Sequence, residues 1–275
     1  MRFAPGAEPM SHAHDYYANY GGLDVDDYVE RHVRGSASEM DRMRRTVALV
    51  PAGVQSLLDV GAGHGVFLEM LRAARGISGV GIEITSAKVD YARRRGIDLR
   101  LGDASRLDFA DREFDVVVSC EVLEHLPFGV YEAARRELSR VARRWVIVTV
   151  PYDERRRFVR CPYCSARINP DYHFRSFSPS SLDGLMSGFR LRQRLALGHM
   201  RRPLLVDFAR RFVGGWPDFL VCPACGYLAS PAAAGTRGVH ESPAHAANRR
   251  LAGWLPTHSR PTWLVGVFER EASDA

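Results

Sequence analysis

Short apolar runs alternate with amphipathic stretches between about residue 46 and residue 151. Phe114–Ser119 contains three consecutive valines, as expected for a strand that is covered on both faces. Tyr131–Arg143 instead places Ala134, Leu138 and Val141 on one helical face. Strands that alternate with helices predict right-handed βαβ units in an α/β fold with a doubly wound sheet. The predicted strands are Ser56–Val60, Gly79–Ile84, Asp98–Leu101, Phe114–Ser119 and Trp145–Val150, and the predicted helices are Val66–Arg75, Ser86–Arg95 and Tyr131–Arg143.

The chain on either side of this core has a different pattern. Ser11–Pro51 is polar with helical spacing, and its main aromatic anchors are Tyr16, Tyr17, Tyr20 and Tyr28. After Pro151 the chain becomes rich in Pro, Gly and Arg, and Ser230–Val239 has the composition of a surface loop. Further predicted elements are a helix over Ser180–Met186 and strands over Phe189–Leu197 and Thr262–Arg270.

These changes of pattern predict four regions. We expect an N-terminal helical segment (1–45), a core (46–151), a substrate-side region (152–260) and a final core strand with a tail (261–275). The last strand would return from the substrate-side region to close one edge of the sheet.

Composition excludes several classes of protein. The chain has 275 residues, of which 46% are hydrophobic and 25% charged, which is typical of a globular protein. No apolar run approaches the roughly 18 residues that a membrane helix needs, so no membrane partner is predicted. The first residues lack the apolar stretch of a signal peptide, which favours a cytoplasmic location. The oligomeric state has no signal in the sequence.

The formal net charge is +6, and Lys88 is the only lysine. The arginines are scattered and alternate with acids on predicted helices, which favours a solvated surface over a phosphate-binding one. The best candidate for an anion contact is the denser run of Arg155, Arg156, Arg157 and Arg160.

Residues 57–65, LLDVGAGHG, place a glycine-rich turn directly after the first predicted strand. Glycines let a backbone adopt positive φ and approach a ligand closely, and the following helix offers free N–H groups. Such a turn serves either a dinucleotide or S-adenosylmethionine. A dinucleotide fingerprint would be G-x-G-x-x-G, whereas here the third glycine comes one position early.

Three further features lie at the carboxyl ends of predicted strands, where open α/β sheets bind ligands. Glu83 ends the second strand and can accept hydrogen bonds from ribose hydroxyls. Asp103 follows the third strand, where it could contact an adenine amino group or simply cap a turn. Residues 120–126, CEVLEHL, follow the fourth strand.

The series LLDVGAGHG, GVGIEI, GDASRL and FDVVVSCEVLEHL resembles the class I S-adenosylmethionine-dependent methyltransferases, in particular their type 11 group. The later segment HFRSFSPSSLDGLMSGFRL resembles the C-terminal part of that group. The resemblance implies a seven-stranded Rossmann-like sheet with S-adenosyl-L-methionine as the cofactor. It implies a cofactor site formed by Asp59, Gly61, Ala62, Gly63, Gly65, Glu83, Ile84, Asp103, Ala104, Cys120 and Glu121. Within this site the glycine turn would face the methionine part, Glu83 the ribose, and Asp103 with Ala104 the adenine.

Four of the five cysteines form two C-x₂-C pairs, Cys161/Cys164 and Cys222/Cys225. Four thiolates suit a tetrahedral zinc ion, and a closed Cys₄ site of this kind would be structural. The 57 residues between the pairs exceed the separation in a compact zinc ribbon, so an intervening element must bring them together. The alternatives are two disulfides, two redox dithiols and free thiols, and a cytosolic location argues against structural disulfides. Cys120 is interpreted as a buried strand-end residue rather than a nucleophile.

Methyl transfer requires an acceptor in line with the sulfonium methyl group, and a protein base can assist. The candidate catalytic residues are His125 and His173. His125 can instead cap its helix, and His173 can instead be a packing residue or a zinc ligand. We expect a small-molecule acceptor such as a glycan or a secondary metabolite. The alternatives are an RNA methyltransferase that uses the zinc module and the arginines, and a non-catalytic binding protein of the same fold. A nucleic-acid partner is not favoured, because the chain lacks the mixed aromatic and basic motif of common RNA modules.

Overall fold

Two compact units make up the computed structural model of this protein. The first, here the sheet unit, comprises residues 20–154, 174–198 and 261–275. The second, here the cysteine unit, comprises residues 1–19, 155–173 and 199–260. The structure describes residues 26, 29–203, 222, 224–227 and 257–272. The predictions for Tyr16, Tyr17, Tyr20, Tyr28 and Ser230–Val239 lie outside these residues.

A seven-stranded sheet is formed by β1 (Leu57–Val60), β2 (Val80–Glu83), β3 (Leu99–Leu101), β4 (Phe114–Cys120), β5 (Ala142–Pro151), β8 (Phe189–Pro203) and β9 (Thr257–Arg270). The strand order across the sheet is β3-β2-β1-β4-β5-β9-β8. In this order the neighbouring strands from β3 to β5 are parallel, and β9 is antiparallel to β5. This topology confirms the predicted doubly wound α/β fold with a seven-stranded Rossmann-like sheet. A separate hairpin pairs β6 (Val159–Arg160) with β7 (Arg167–Ile168).

Four α-helices lie in the sheet unit among the residues that the structure describes: α1 (Ala37–Leu49), α2 (Val66–Arg75), α3 (Ser86–Arg94) and α4 (Val130–Val141). Ser36 begins α1, because its hydroxyl accepts a hydrogen bond from the Glu39 N–H. Gly76 ends α2 in the left-handed conformation. One π-helical turn, Val29–Arg34, precedes α1 within the segment predicted to be helical.

The helix predicted over Ser180–Met186 is wrong in extent. The structure has one 3₁₀ turn, Pro179–Leu182, at that place. Gly184 has a φ of 67°, and this left-handed residue stops the chain from continuing as a helix. A second 3₁₀ turn, Leu123–His125, follows β4.

The three valines of β4 show that the sheet is covered on both faces. Val116 and Val118 pack into one buried apolar cluster, and Val117 packs into another. All three are completely buried, as the continuous apolar run predicts. The carboxyl ends of β1, β2 and β4 are thus held on a rigid, well-packed scaffold. Among the described residues, no helix combines the length and the apolar character needed to cross a membrane.

Candidate cofactor and metal sites

The glycine turn after β1 is closed on one side and open on the other. A Cβ atom on Gly61, whose φ is 78°, would lie 2.3 Å from Cγ2 of Val122. A Cβ atom on Gly63, whose φ is 56°, would meet no atom within 4 Å. The N–H groups of Gly61 and Ala62 both donate to the Ile82 carbonyl, which anchors the turn to β2. Gly61 is therefore required by packing, whereas Gly63 borders open space.

Glu83 links the end of β2 to this turn. The side chain is 5% exposed, and its Oε2 accepts a hydrogen bond from the Gly63 N–H at 3.0 Å. Its Oε1 accepts from the Thr85 N–H at 3.0 Å and lies 3.8 Å from Nζ of Lys88. Each carboxylate oxygen has more than one lone pair, so both can still accept from a ligand hydroxyl. Ile84, the next predicted cofactor residue, is half-buried between Glu83 and Thr85.

Asp59 in β1 carries an unsatisfied buried carboxyl group. It is 2% exposed, and its Oδ1 has no hydrogen-bond partner among the described residues. Burial raises the pKa of Asp59 to about 7, while Arg42 acts in the opposite direction and Glu83 adds to the rise. A cationic ligand group beside Oδ1 would satisfy this carboxylate.

Arg42 is a buried cation that the sequence pattern did not distinguish from the surface arginines. Its side chain is 8% exposed and forms a 2.7 Å ion pair with Glu39. It also donates to the Thr149 hydroxyl at 3.4 Å and lies 5.6 Å from the centre of the Trp263 ring. Its charge lowers the pKa of Asp59, as described above, so its influence extends to the carboxyl group in β1.

The loop after β3 shows that Asp103 caps a turn. Its Oδ1 accepts hydrogen bonds from both the N–H and the hydroxyl of Ser105, at 2.7 and 2.8 Å. These two bonds use one carboxylate oxygen and orient the other, Oδ2. The turn-capping alternative and a ligand contact are thus compatible. Ala104, the next residue, is half-buried.

The residue that follows β4, Glu121, has a strained backbone conformation. Glu121 has a φ of 55°, which is uncommon for a residue other than glycine. Its N–H donates to the Thr149 carbonyl at 2.9 Å, and its Oε1 accepts from the Thr149 hydroxyl at 3.2 Å. Burial raises the pKa of Cys120 to about 12, so its thiol stays neutral at physiological pH. Cys120 is half-buried rather than buried as predicted, but its neutral thiol agrees with the interpretation that it is not a nucleophile.

The two candidate histidines belong to different units. His125 ends the 3₁₀ turn after β4 in the sheet unit, and its Nε2 lies 4.0 Å from Oε1 of Glu124. His173 belongs to the cysteine unit, where its N–H donates to Oδ1 of Asn169 at 2.9 Å. Its carbonyl accepts from Arg156 at 3.2 Å, so one arginine of the predicted anion contact has a structural role.

Glu124 is the residue of this loop that the sequence analysis missed. It is completely buried, and neither carboxylate oxygen has a hydrogen-bond partner among the described residues. The signal was available, because Glu124 lies three positions after Glu121 and directly before His125.

The four paired cysteines converge in the cysteine unit. Sγ of Cys161 lies 3.7 Å from Sγ of Cys225, and Sγ of Cys164 lies 3.6 Å from Sγ of Cys222. All four sulfurs lie within 4.8 Å of one another, and none forms a disulfide. Thiolates bound about 2.3 Å from a tetrahedral zinc ion are separated by roughly 3.8 Å, whereas a disulfide requires about 2.05 Å. The donor set therefore fits a tetrahedral ion.

Both cysteine pairs have the same backbone pattern. The N–H of Ser165 donates to the Cys161 carbonyl at 2.9 Å, and the N–H of Gly226 donates to the Cys222 carbonyl at 2.8 Å. Ser165 and Gly226 occupy equivalent positions with φ of 62° and 72°. Burial opposes ionisation of Cys161, but N–H groups of Cys164 and Tyr163 donate to its sulfur and lower its pKa to about 7. Such N–H donors stabilise a thiolate ligand.

The central part of the chain is similar to known methyltransferases. Residues 58–148 match the model of a family described as the methyltransferase domain. A phthiotriol/phenolphthiotriol dimycocerosates methyltransferase of Mycobacterium tuberculosis is 33% identical over 104 residues, which cover 36% of this chain and 37% of that protein. A fatty-acid O-methyltransferase of Mycolicibacterium smegmatis is 31% identical over 119 residues, which cover 38% and 43%. The chain thus matches less than half of the length of these relatives.

Solved structures share the fold over most of the chain. A chain in the complex of the Haloferax volcanii Trm112 methyltransferase activator with a methyltransferase superposes with a TM-score of 0.56 and 15% identity, covering 96% of this chain and 99% of that one. The 1,6-didemethyltoxoflavin-N1-methyltransferase of Burkholderia thailandensis, solved with S-adenosylhomocysteine, has a TM-score of 0.51 and 16% identity, covering 98% and 94%. At these identities the likeness shows the fold.

Proposed function

Residues 58–148 are a methyltransferase domain of the class I fold, and from this we propose that the chain transfers a methyl group from S-adenosyl-L-methionine to a hydrophobic small molecule. The observation that carries the proposal is the open side of the glycine turn at Gly63, bordered by the ordered carboxylate of Glu83. The cofactor supplies an electrophilic methyl group on a sulfonium sulfur. The chain supplies binding and orientation.

In this proposal each polar group at the strand ends binds one part of the cofactor. Asp59 faces its ammonium group, because a buried carboxylate with an unsatisfied oxygen needs a cation. Glu83 accepts from the ribose hydroxyls, and Asp103 accepts from the adenine amino group through the oxygen that the Ser105 turn leaves available. The other proposed contacts are Gly61, Ala62, Gly65, Ile84, Ala104, Cys120 and Glu121.

A hydrophobic acceptor is supported by the surface beside β4. Phe128 is 81% exposed and Phe174 is 41% exposed, although both are large apolar side chains. The N–H of Phe174 donates to the Glu124 carbonyl at 2.7 Å, which holds Phe174 next to the loop after β4. The relatives act on phthiotriol dimycocerosates and on fatty acids, as their names state. We therefore propose a lipid-like acceptor that is methylated on oxygen.

A nucleic-acid acceptor is less well supported, because many arginines of the sheet unit already have acidic partners. Arg140 pairs with Glu137 and Asp111 at 2.8 Å, and Arg144 pairs with Glu269 at 2.9 Å. Arginines that neutralise neighbouring acids contribute less to phosphate binding.

The proposal includes one structural zinc ion per chain, bound by Cys161, Cys164, Cys222 and Cys225. The support is the separation of the sulfurs and the N–H groups directed at the sulfur of Cys161. Four protein ligands leave no open position, so the ion would stabilise the cysteine unit without entering the reaction.

The experiment combines calorimetry with an acceptor screen. We expect saturable binding of S-adenosyl-L-methionine and none of NAD. We also expect methylation of fatty acids or hydroxylated lipids, detected as products heavier by one CH₂, and none of RNA. Asp103→Asn should weaken cofactor binding, whereas Asp108→Asn in the same loop should not. Binding of NAD alone, or turnover on structured RNA only, would refute the proposal.

A further inference from the structure

The hairpin of the cysteine unit places two positive charges directly opposite each other. Arg160 in β6 pairs with Arg167 in β7 in the antiparallel register, and both residues are exposed. Opposite residues of an antiparallel pair have Cβ atoms about 4.5–5.5 Å apart, so like charges at these positions destabilise the pairing. A hairpin of two short strands is itself only marginally stable. A ligand that carries negative charge would relieve the repulsion between the two arginines.

The segment around the hairpin has few acids that could neutralise these arginines. Residues 155–173 contain five arginines and one acidic residue, Asp171. Neither Arg160 nor Arg167 forms an ion pair with any residue that the structure describes. The proposed zinc centre, with four thiolates and one ion, would carry a charge of about −2, which is smaller than the arginine excess. The segment therefore presents positive charge to solvent.

A large aromatic side chain is exposed among these arginines. Phe158, which directly precedes β6, is 47% exposed. Side chains two positions apart in an extended chain point to the same side, which places Phe158 on the face of Arg160. The guanidinium carbons of Arg156 and Arg167 lie over the Phe158 ring, 5.7 and 5.5 Å from its centre. One face of the hairpin thus combines an exposed ring with guanidinium groups.

This combination favours an anionic bilayer over a nucleic acid. Aromatic side chains are enriched at the interface between a membrane and water, and clusters of basic residues are attracted to anionic headgroups. A nucleobase would stack on the face of an aromatic ring, but two guanidinium groups already lie over the ring of Phe158. A bilayer is also where the lipid-like acceptor of the proposed function would reside.

We propose that the docking patch, formed by Phe158, Arg160 and Arg167, binds the protein to the surface of a membrane that contains anionic lipids. The phenylalanine enters the headgroup region, and the arginines bind lipid phosphates. The sequence analysis predicted no membrane partner because no apolar run is long enough to cross a bilayer, and binding at the surface needs no such run. The source of the acceptor rests on the proposed function, whereas membrane binding itself does not.

The test is sedimentation of the zinc-loaded protein with vesicles. We expect binding to an equimolar mixture of phosphatidylcholine and phosphatidylglycerol, no binding to phosphatidylcholine alone, and weaker binding as the salt concentration rises. Arg160→Gln and Arg167→Gln should each weaken binding about fivefold. Each variant should unfold at a temperature no lower than the wild type, because it removes a repulsion between like charges.

The matched control is Arg136→Gln, which removes an exposed charge from α4 in the sheet unit and should bind vesicles like the wild type. An equal loss of binding in this control would overturn the proposal, because it would show attraction to the overall charge of the protein. No binding of the wild type to the mixed vesicles would also overturn it. Binding of a single-stranded oligonucleotide that depends on Arg160, without vesicle binding, would assign the patch to nucleic acid instead.

Calorimetry with S-adenosyl-L-methionine and an assay of methyl transfer to a fatty acid dispersed in detergent separate this inference from the proposed function. Turnover in detergent without vesicle binding would overturn the docking patch and leave the proposed function intact. Vesicle binding that depends on Arg160, in a protein that does not bind the cofactor, would support the docking patch and refute the proposed function.

Discussion

Glu83 and Gly63 are joined across two strand ends, because the glutamate Oε2 accepts the glycine N–H at 3.0 Å. The side chain at the end of β2 thereby sets the shape of the turn after β1. The same carboxylate also accepts from the Thr85 N–H, so one residue organises two backbone segments at the carboxyl edge. A change at Glu83 should therefore affect both stability and cofactor binding.

Glu83→Gln should lower both the stability of the protein and its affinity for the cofactor. A glutamine amide has one acceptor oxygen, so one of the two backbone N–H groups would face an NH₂ group. We expect a loss of about 1–3 kcal/mol in the free energy of unfolding, measured in urea, and weaker binding of S-adenosyl-L-methionine by calorimetry. Glu113→Gln is the matched control, because the exposed Glu113 accepts a backbone N–H from Ala110 far from the turn. Unchanged cofactor affinity in Glu83→Gln would exclude a ribose contact.

Alanine at the two turn glycines should separate folding from binding. Gly61→Ala would force a Cβ to within 2.3 Å of a Val122 methyl group, so we expect poor folding. Gly63→Ala meets no neighbouring atom and should cost only the strain of its positive φ, on the order of 1 kcal/mol. Its methyl group would enter the proposed cofactor space. Circular dichroism should show a folded Gly63→Ala protein, and calorimetry should show its loss of affinity; wild-type affinity would place the cofactor elsewhere.

The stability of the protein should depend on pH because the buried carboxyl group of Asp59 ionises near pH 7. Its pKa is raised from 3.8 to about 7, so its contribution to stability is fully present below pH 3.8 and is lost as the pH rises through 7. At pH 8 the cofactor-free protein therefore bears the cost of an ionised buried carboxylate, and Asp59→Asn should be about 2–4 kcal/mol more stable than the wild type. The difference between the two urea-unfolding curves should shrink towards pH 4. A stability difference between the two proteins that does not depend on pH would contradict the raised pKa of Asp59.

Ionisation of Asp59 should strengthen cofactor binding, although it lowers the stability of the cofactor-free protein. An ammonium group prefers the ionised carboxylate, so wild-type affinity for S-adenosyl-L-methionine should increase as the pH rises through 7. Asp59→Asn should bind more weakly than the wild type at pH 8 and lack this increase. Calorimetry at pH 6 and pH 8 measures both effects.

Substitutions at Ser165 and Gly226, the left-handed residues that follow the two cysteine pairs, should change stability in opposite directions. Ser165→Gly removes the strain of a side chain at φ 62° and should stabilise the cysteine unit by about 0.5–1 kcal/mol. Gly226→Ala introduces the same strain at φ 72° without a steric clash and should destabilise it by about 1 kcal/mol. Thermal unfolding of zinc-loaded protein measures both changes. A change of stability in the same direction in both variants would contradict the equivalence of the two backbone positions.

Metal analysis tests the zinc site itself. Purified protein should contain one equivalent of zinc, and Cys164→Ser should lose both zinc and thermal stability, because metal binding and folding are linked. Cys120→Ser is the control, since Cys120 lies in the sheet unit and should leave the zinc content unchanged. Metal-free protein of full stability, or two disulfides found by mass spectrometry, would disprove the site.

Periodicity predicted the alternating strands and helices of a doubly wound sheet, whereas the number of strands was implied by the resemblance to class I methyltransferases. Helix Val66–Arg75 was predicted at its observed bounds, and the predicted strand Phe114–Ser119 ends one residue before the observed one. These elements could be predicted because each is coded locally. The helix has a buried face at a fixed period and a glycine at its end, and the strand is a continuous apolar run. The later segment Ser180–Met186 was harder, because a 3₁₀ turn shares the composition of a short helix.

The sequence by itself determined which chemistry the chain offers: a glycine turn, acids at three strand ends, and two cysteine pairs. Only the tertiary structure decided which of these groups meet and in what environment. Cys161 and Cys225 are 64 positions apart, yet their sulfurs lie 3.7 Å from each other. Arg42 and Glu124 look like surface residues in the sequence but are buried, and burial changes their energetics. The physical reason is that spacing along a chain fixes local conformation, whereas desolvation and charge pairing depend on residues that folding brings from elsewhere.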